Sequence, residues 1–166
     1  MATKSTPKKQ TSKKTTDAKP RLIKQVGEHS FAFSRYLEPI AHVKPGEVIA
    51  FDTEDCFKGL VTSNKELASE TLQGAGYLNP QTGPFYIEGA QPGDTLAVHI
   101  LDIAPNRDWA VSCIQKPLGG LTPNKFTRML NEPLPEQNWI YRLDKAGRWT
   151  CETNPKLSFP SEPFLG

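Results

Sequence analysis

Residues Asn79 to Asp102, NPQTGPFYIEGAQPGDTLAVHILD, limit what this chain can fold into more than any other stretch. Asn79-Pro80 and Gly83-Pro84 are dipeptides that interrupt regular structure and fix loops. Phe85-Tyr86-Ile87 is a short aromatic and β-branched run that suits a strand. Gln91-Pro92-Gly93-Asp94 reads as a tight turn, with proline presetting φ and glycine free to take positive φ. From Thr95 to Ile103, alternation puts Leu96, Val98, Ile100 and Asp102 on one face and Ala97, His99, Leu101 and Ile103 on the other. Both faces are largely apolar, so the pattern predicts a strand buried on both sides, with His99 as its polar exception.

A chain so punctuated favours short strands over long helices, and 15 prolines among 166 residues point the same way. The length suits one domain with its own core. The net charge of +2 conceals an asymmetry, because residues 1–24 carry +7 and the remainder −5. Met1 to about Pro20 is lysine, threonine and serine with almost nothing apolar, which predicts a disordered tail over 1–21 and a folded domain over 22–166. No aromatic residue interleaves the tail's lysines and the body is acidic, so nucleic acid is not expected as a partner. Cys56, Cys113 and Cys151 form neither a disulfide framework nor a metal knuckle, as befits a reducing, cytoplasmic setting. No apolar run approaches a membrane span, and no membrane partner is expected.

Other elements follow from the same signals. Residues 28–40 carry His29, Phe31, Phe33, Arg35 and Tyr36, an alternating aromatic run that suits a strand leading to Glu38-Pro39. Lys44-Pro45-Gly46-Glu47 is a turn before a strand at Val48–Phe51, and it parallels Gln91–Asp94 at a spacing of 47 residues. Lys65–Leu72 is the best short helix, with Ser63 or Asn64 as cap, and Phe126–Leu130 suits a helical turn. Trp109–Ile114 reads as a strand, and Trp139–Leu143 and Arg148–Cys151 as a hairpin about Lys145-Ala146-Gly147. The sum is a mainly β domain, an antiparallel sandwich or barrel-like body with one or two short helices.

Candidates for chemistry are carboxylates and imidazoles near strand ends: Asp52, Glu54, Asp55, Glu88, His42 and His99. Carboxylate with imidazole is the donor set of a hydrolytic zinc site, and paired carboxylates can act as general acid and base. Neither assignment follows from spacing, and Glu54 and Asp55 serve equally as solvated loop acids. Cys56 adjoins acidic residues that raise a thiol pKa, which marks it as structural.

The segment from Asn79 to Ile103 resembles the signature of the acetamidase/formamidase family, N/H-P-x-T-G-P-x-Y-x-E-G-A-x-P-G-D. Val43–Phe57 is similar to that family's V-x-P-G-D, strand and acidic E-T-x-D turn; residues 131–136, NEPLPE, to its N-x-P-L-P-E; and PFLG at 163–166 to the start of its P-F-x-G-x-I-G-V-A-P. The resemblance spans roughly residues 29–166 and implies a mainly β fold that hydrolyses small linear amides, such as formamide or acetamide, to acid and ammonia. It also implies a metal-assisted site, and the carboxylate–imidazole donor set is one that a divalent metal such as zinc would take. Asp55 matches the acidic turn, Glu88 the acid of Y-x-E-G-A, and His99 the histidine some members carry after P-G-D. Asp55, Glu54 and Glu88 are thus the expected catalytic carboxylates, Asn79, Thr82, Gly83 and Pro84 the expected substrate loop, and Asp55 with His99 the expected metal ligands. Family members are about twice as long, which implies a homo-oligomer or a partner chain supplying the second half. A non-catalytic interaction module built on the same β domain is the alternative.

Overall fold

The computed structural model describes residues 19–116, 118–120, 122 and 132–165. Most of the expected tail and the helical turn expected at Phe126–Leu130 lie outside the described residues. The chain is mainly β. Its elements are β1 (Arg21–Ile23), β2 (Ala41–Val43), β3 (Ile49–Phe51), α1 (Ala68–Thr71), β4 (Phe85–Ile87), β5 (Trp109–Ile114), β6 (Gln137–Leu143), β7 (Arg148–Cys151) and β8 (Ser158–Pro160).

β5, β6, β7 and β8 form an antiparallel meander in chain order, with Trp109 opposite Arg142 and Ile114 opposite Gln137. The hairpin between β6 and β7 closes as its turn residues dictate. Asp144 Oδ1 accepts the backbone N–H groups of Ala146 and Arg148, both at 2.9 Å, and Gly147 takes φ of +74°. Along β6, Asn138 and Ile140 are buried while their neighbours are more open, the period of two that one packed face imposes. Ile140 and Cys151 are fully buried and anchor the core of this sheet.

The other strands form two parallel ladders that the sequence did not announce. β1 pairs with β3, Arg21 opposite Ile49, and β2 with β4, Ala41 opposite Phe85. The ladders touch at both ends. Phe51 at the end of β3 meets Phe85 at the start of β4, ring centroids 4.9 Å apart. At the other end, the Arg21 guanidinium donates to the His42 carbonyl at 2.6 Å. β3 and β4 therefore run in opposite senses, and the residues following β3 lie beside the beginning of β4.

Three expectations fail. Thr95–Ile103 is neither a strand nor buried: Leu96, Val98, Ile100 and Leu101 are all exposed. A strand needs a ladder partner, and none of the described residues pairs with this one. Residues 28–36 make only an isolated bridge between Ser30 and Gln81, with Phe33 and Tyr36 exposed. The helix is one turn, not two. Ser63 Oγ does accept the Lys65 N–H at 3.0 Å, but helical geometry starts after Leu67, whose N–H donates to the Glu70 carboxylate. α1 is fixed from outside, since the Ser69 N–H and hydroxyl donate to the Glu136 carboxylate at 2.8 and 3.0 Å.

Candidate active site

The acidic turn after β3 is held by its own side chains and by two other parts of the chain. Within it, Asp55 Oδ1 accepts the Phe57 N–H at 2.6 Å, and Glu54 Oε1 accepts the Asp55 N–H at 2.8 Å. The Asn79–Pro84 loop supports it from one side: the Asn79 N–H donates to the Cys56 carbonyl at 3.0 Å, and Thr82 Oγ1 donates to the Asp52 carbonyl at 2.8 Å. The segment before β5 closes the other side, with Asn106 Nδ2 donating to the Thr53 carbonyl at 3.1 Å.

Arg107 completes the arrangement. Its Nη1 donates to Glu54 Oε1 at 3.0 Å and its Nη2 donates to Asp55 Oδ2. The guanidinium lies over the Trp109 ring, 3.8 Å from the centroid. One cation thus spans both carboxylates, and its planar fork suits this two-point contact where a lysine would not. All three side chains are partly buried, Asp55 the most. Glu54 Oε2 accepts no hydrogen bond among the described residues and faces Gly59, where an added Cβ would sit 3.6 Å from it. Asp55 keeps one lone-pair site on each oxygen, since a carboxylate accepts about four hydrogen bonds.

The expected site residues divide into three places. Asp55, Glu54, Asn79 and Thr82 belong to this cluster. Gly83 (φ +118°) and Pro84, joined by a cis peptide, continue the same loop, and the Gly83 N–H donates to Gln25 Oε1 at 3.0 Å. Glu88 is elsewhere: it follows β4 at the end away from Phe85, about 10 Å along the strand at ~3.3 Å per residue. There it pairs with His42 Nδ1 at 2.9 Å, in an open cleft of about 440 Å³ shared with Arg21, Lys44 and Glu47. His99 stands apart from both, exposed on the unpaired segment after the Gln91–Asp94 turn. The carboxylate–imidazole pair that forms is therefore Glu88 with His42. Asp55 has an arginine as its partner.

No group of three or more His, Cys, Asp or Glu side chains suited to a metal ion occurs among the described residues. The described residues thus do not by themselves fit the expected metal. Desolvation, reinforced by the Asp55 charge, pushes the Cys56 thiol up, in keeping with a thiol that is not a nucleophile. Arg107 is the member of this cluster that sequence reasoning missed. It sits in an unremarkable polar loop, 52 residues from Asp55, and no local pattern links the two.

Comparison with known proteins agrees with this architecture. Residues 17–145 match the model of the Acetamidase/Formamidase family, and the chain belongs to that family. Among solved structures, an acetamidase from Yersinia enterocolitica is similar at TM-score 0.64 and 27% identity, with 87% of this chain and 44% of that one covered. An acetamidase from Bacillus halodurans is similar at TM-score 0.66 and 25% identity, with 84% of this chain and 42% of that one covered. The chain spans less than half the length of either enzyme. Comparison with curated protein sequences finds no match.

Proposed function

We propose that this chain contributes to the hydrolysis of small linear amides, with formamide and acetamide as the substrate class. The family match over residues 17–145 carries the proposal. The acidic turn supplies suitable chemistry. A carboxylate of the Glu54–Asp55 pair takes a proton from water as the oxygen attacks the amide carbonyl carbon. The C–N bond then breaks, and the nitrogen leaves as ammonia after receiving a proton, giving the carboxylic acid. Arg107 holds the pair in one orientation, and the hydrogen bonds from the Asn79–Pro84 loop to the same turn support that loop as the one that receives the amide.

Ammonia release from formamide and acetamide by the purified chain, with and without added zinc, tests this. Asp55→Ala should abolish release, and Glu88→Gln, which alters the separate His42 pair, serves as the comparison. Release that survives in Asp55→Ala would overturn the assignment. The exposure of Leu96, Val98 and Ile100 favours a second reading, in which the chain is an interaction module or one part of a split amidase. Folded protein that releases no ammonia alone would support it.

A further inference from the structure

Two charged groups of the acidic cluster face Gly59. A Cβ built on Gly59 would sit 3.6 Å from Glu54 Oε2, 3.7 Å from Glu54 Cδ and 3.7 Å from Arg107 Nη1, each an ordinary van der Waals distance. The glycine thus leaves room for one further group, bordered at once by an acceptor and a donor. Neither of these is fully engaged. Glu54 Oε2 accepts no hydrogen bond among the described residues, because Oε1 takes both the Asp55 N–H and Arg107 Nη1. Arg107 gives one N–H from each Nη nitrogen, two of the five that a guanidinium carries. A small molecule can reach the place, since 34% of the Glu54 side chain and 26% of the Arg107 side chain are exposed.

The backbone alone accounts for a glycine here, because its φ is +69°. The donor and acceptor beside it are independent of that φ. A primary amide carries a carbonyl acceptor and, on the same edge, an N–H donor. That edge is complementary to an arginine N–H set beside a carboxylate oxygen, where either group alone would satisfy half of it.

We propose that Arg107 Nη1 and Glu54 Oε2 hold the CONH2 edge of the substrate in the room that Gly59 leaves. Nη1 donates to the carbonyl oxygen, and the amide N–H beside that oxygen donates to Oε2. Gly59 is then a specificity-determining residue. The inference rests on the proposed amide chemistry and narrows its substrates to amides with two hydrogens on nitrogen. A secondary amide in its favoured trans form puts the N-substituent, and not the N–H, beside the carbonyl oxygen. Formamide and acetamide present the required edge, and N-methylacetamide presents a methyl group there instead.

The test follows the Arg107 side-chain N–H signal of the full chain by NMR, which the Trp109 ring beneath the guanidinium should set apart from other arginines. Added acetamide should shift it, and N-methylacetamide should bind on the order of tenfold more weakly or worse. Gly59→Ala fills the room with a methyl group and should weaken acetamide binding on the order of tenfold or more. Gly76→Ala is the matched control: Gly76 has the same φ of +69° but nothing within 4 Å of its added Cβ, so it carries the same backbone strain in open space. Both variants should lower the melting midpoint alike, and only Gly59→Ala should lose acetamide. The N-methylacetamide comparison needs no variant and decides the matter if Gly59→Ala does not fold. No shift with acetamide, equal binding of the two amides, or equal acetamide binding by Gly59→Ala and Gly76→Ala would each overturn the proposal. Ammonia is read separately: shifts without release leave the contact standing and remove the hydrolysis, and release that is equal in the two variants removes the contact and leaves the hydrolysis.

Discussion

Arg107 is the residue on which the acidic turn depends. Replacing it with alanine leaves Glu54 and Asp55 side by side without their cation, which should cost about 1–3 kcal/mol and lower the melting midpoint measured by calorimetry. Arg107→Lys should recover only part of the loss, because an ammonium cannot span both carboxylates. Glu47 makes a second residue-scale prediction. Its carboxyl is held below the usual glutamate range, first by the hydrogen bond from Arg21 and then by the Lys44 N–H. A folded pKa below the unfolded one adds stability that is present above the unfolded value and lost as pH falls through the folded value. Carboxyl NMR should therefore show Glu47 titrating below an ordinary glutamate, and Arg21→Ala should raise its midpoint.

At the scale of elements, Asn138 on β6 ties the sheet to the segment before α1. Its buried amide donates to the carbonyls of Ser63 and Glu66 at 3.2 and 2.6 Å. Asn138→Ala strands two carbonyls and should cost ~2 kcal/mol, read as a lower denaturant midpoint with an unchanged slope. The same scale explains what could be read from sequence. β5 and β7 fall where the alternation put them, and the β6–β7 turn uses the residues that local chemistry demands. Both Pro-Gly turns form as well, because their bonds lie within four residues. Thr95–Ile103 carries as strong a strand pattern as any, yet pairs with none of the described residues, since pairing is decided by a second segment. β1 and β2 were illegible for the converse reason: three residues each, they exist because β3 and β4 lie beside them. The site divides the same way. Glu54 and Asp55 were visible as adjacent acids and the Asn79–Pro84 loop as a motif, but Arg107 and the His42–Glu88 pair are products of tertiary structure.

For the whole molecule, the modest core sets the expectation. Among the described residues, the buried hydrophobic side chains are Ile23, Val43, Val61, Ala68, Ile140 and Cys151, while many larger ones are exposed. Ile140→Ala, at the centre of the antiparallel sheet, should therefore cost about 2–4 kcal/mol and approach the limit of what the isolated chain tolerates. Its unfolding, followed by tryptophan fluorescence, should move to markedly lower denaturant. No helix among the described residues is long and apolar enough to cross a membrane.

The Arg107 clamp also sets an order of events during synthesis. Both parallel ladders are complete once residue 87 has emerged from the ribosome, and the Asn79–Pro84 loop can already rest on the acidic turn. Glu54 and Asp55 then wait, two neighbouring negative charges, for a cation that is translated about 20 residues later. A nascent chain arrested before Arg107 should hold its ladders but leave the acidic turn open to protease, and one released after Trp109 should have it shut.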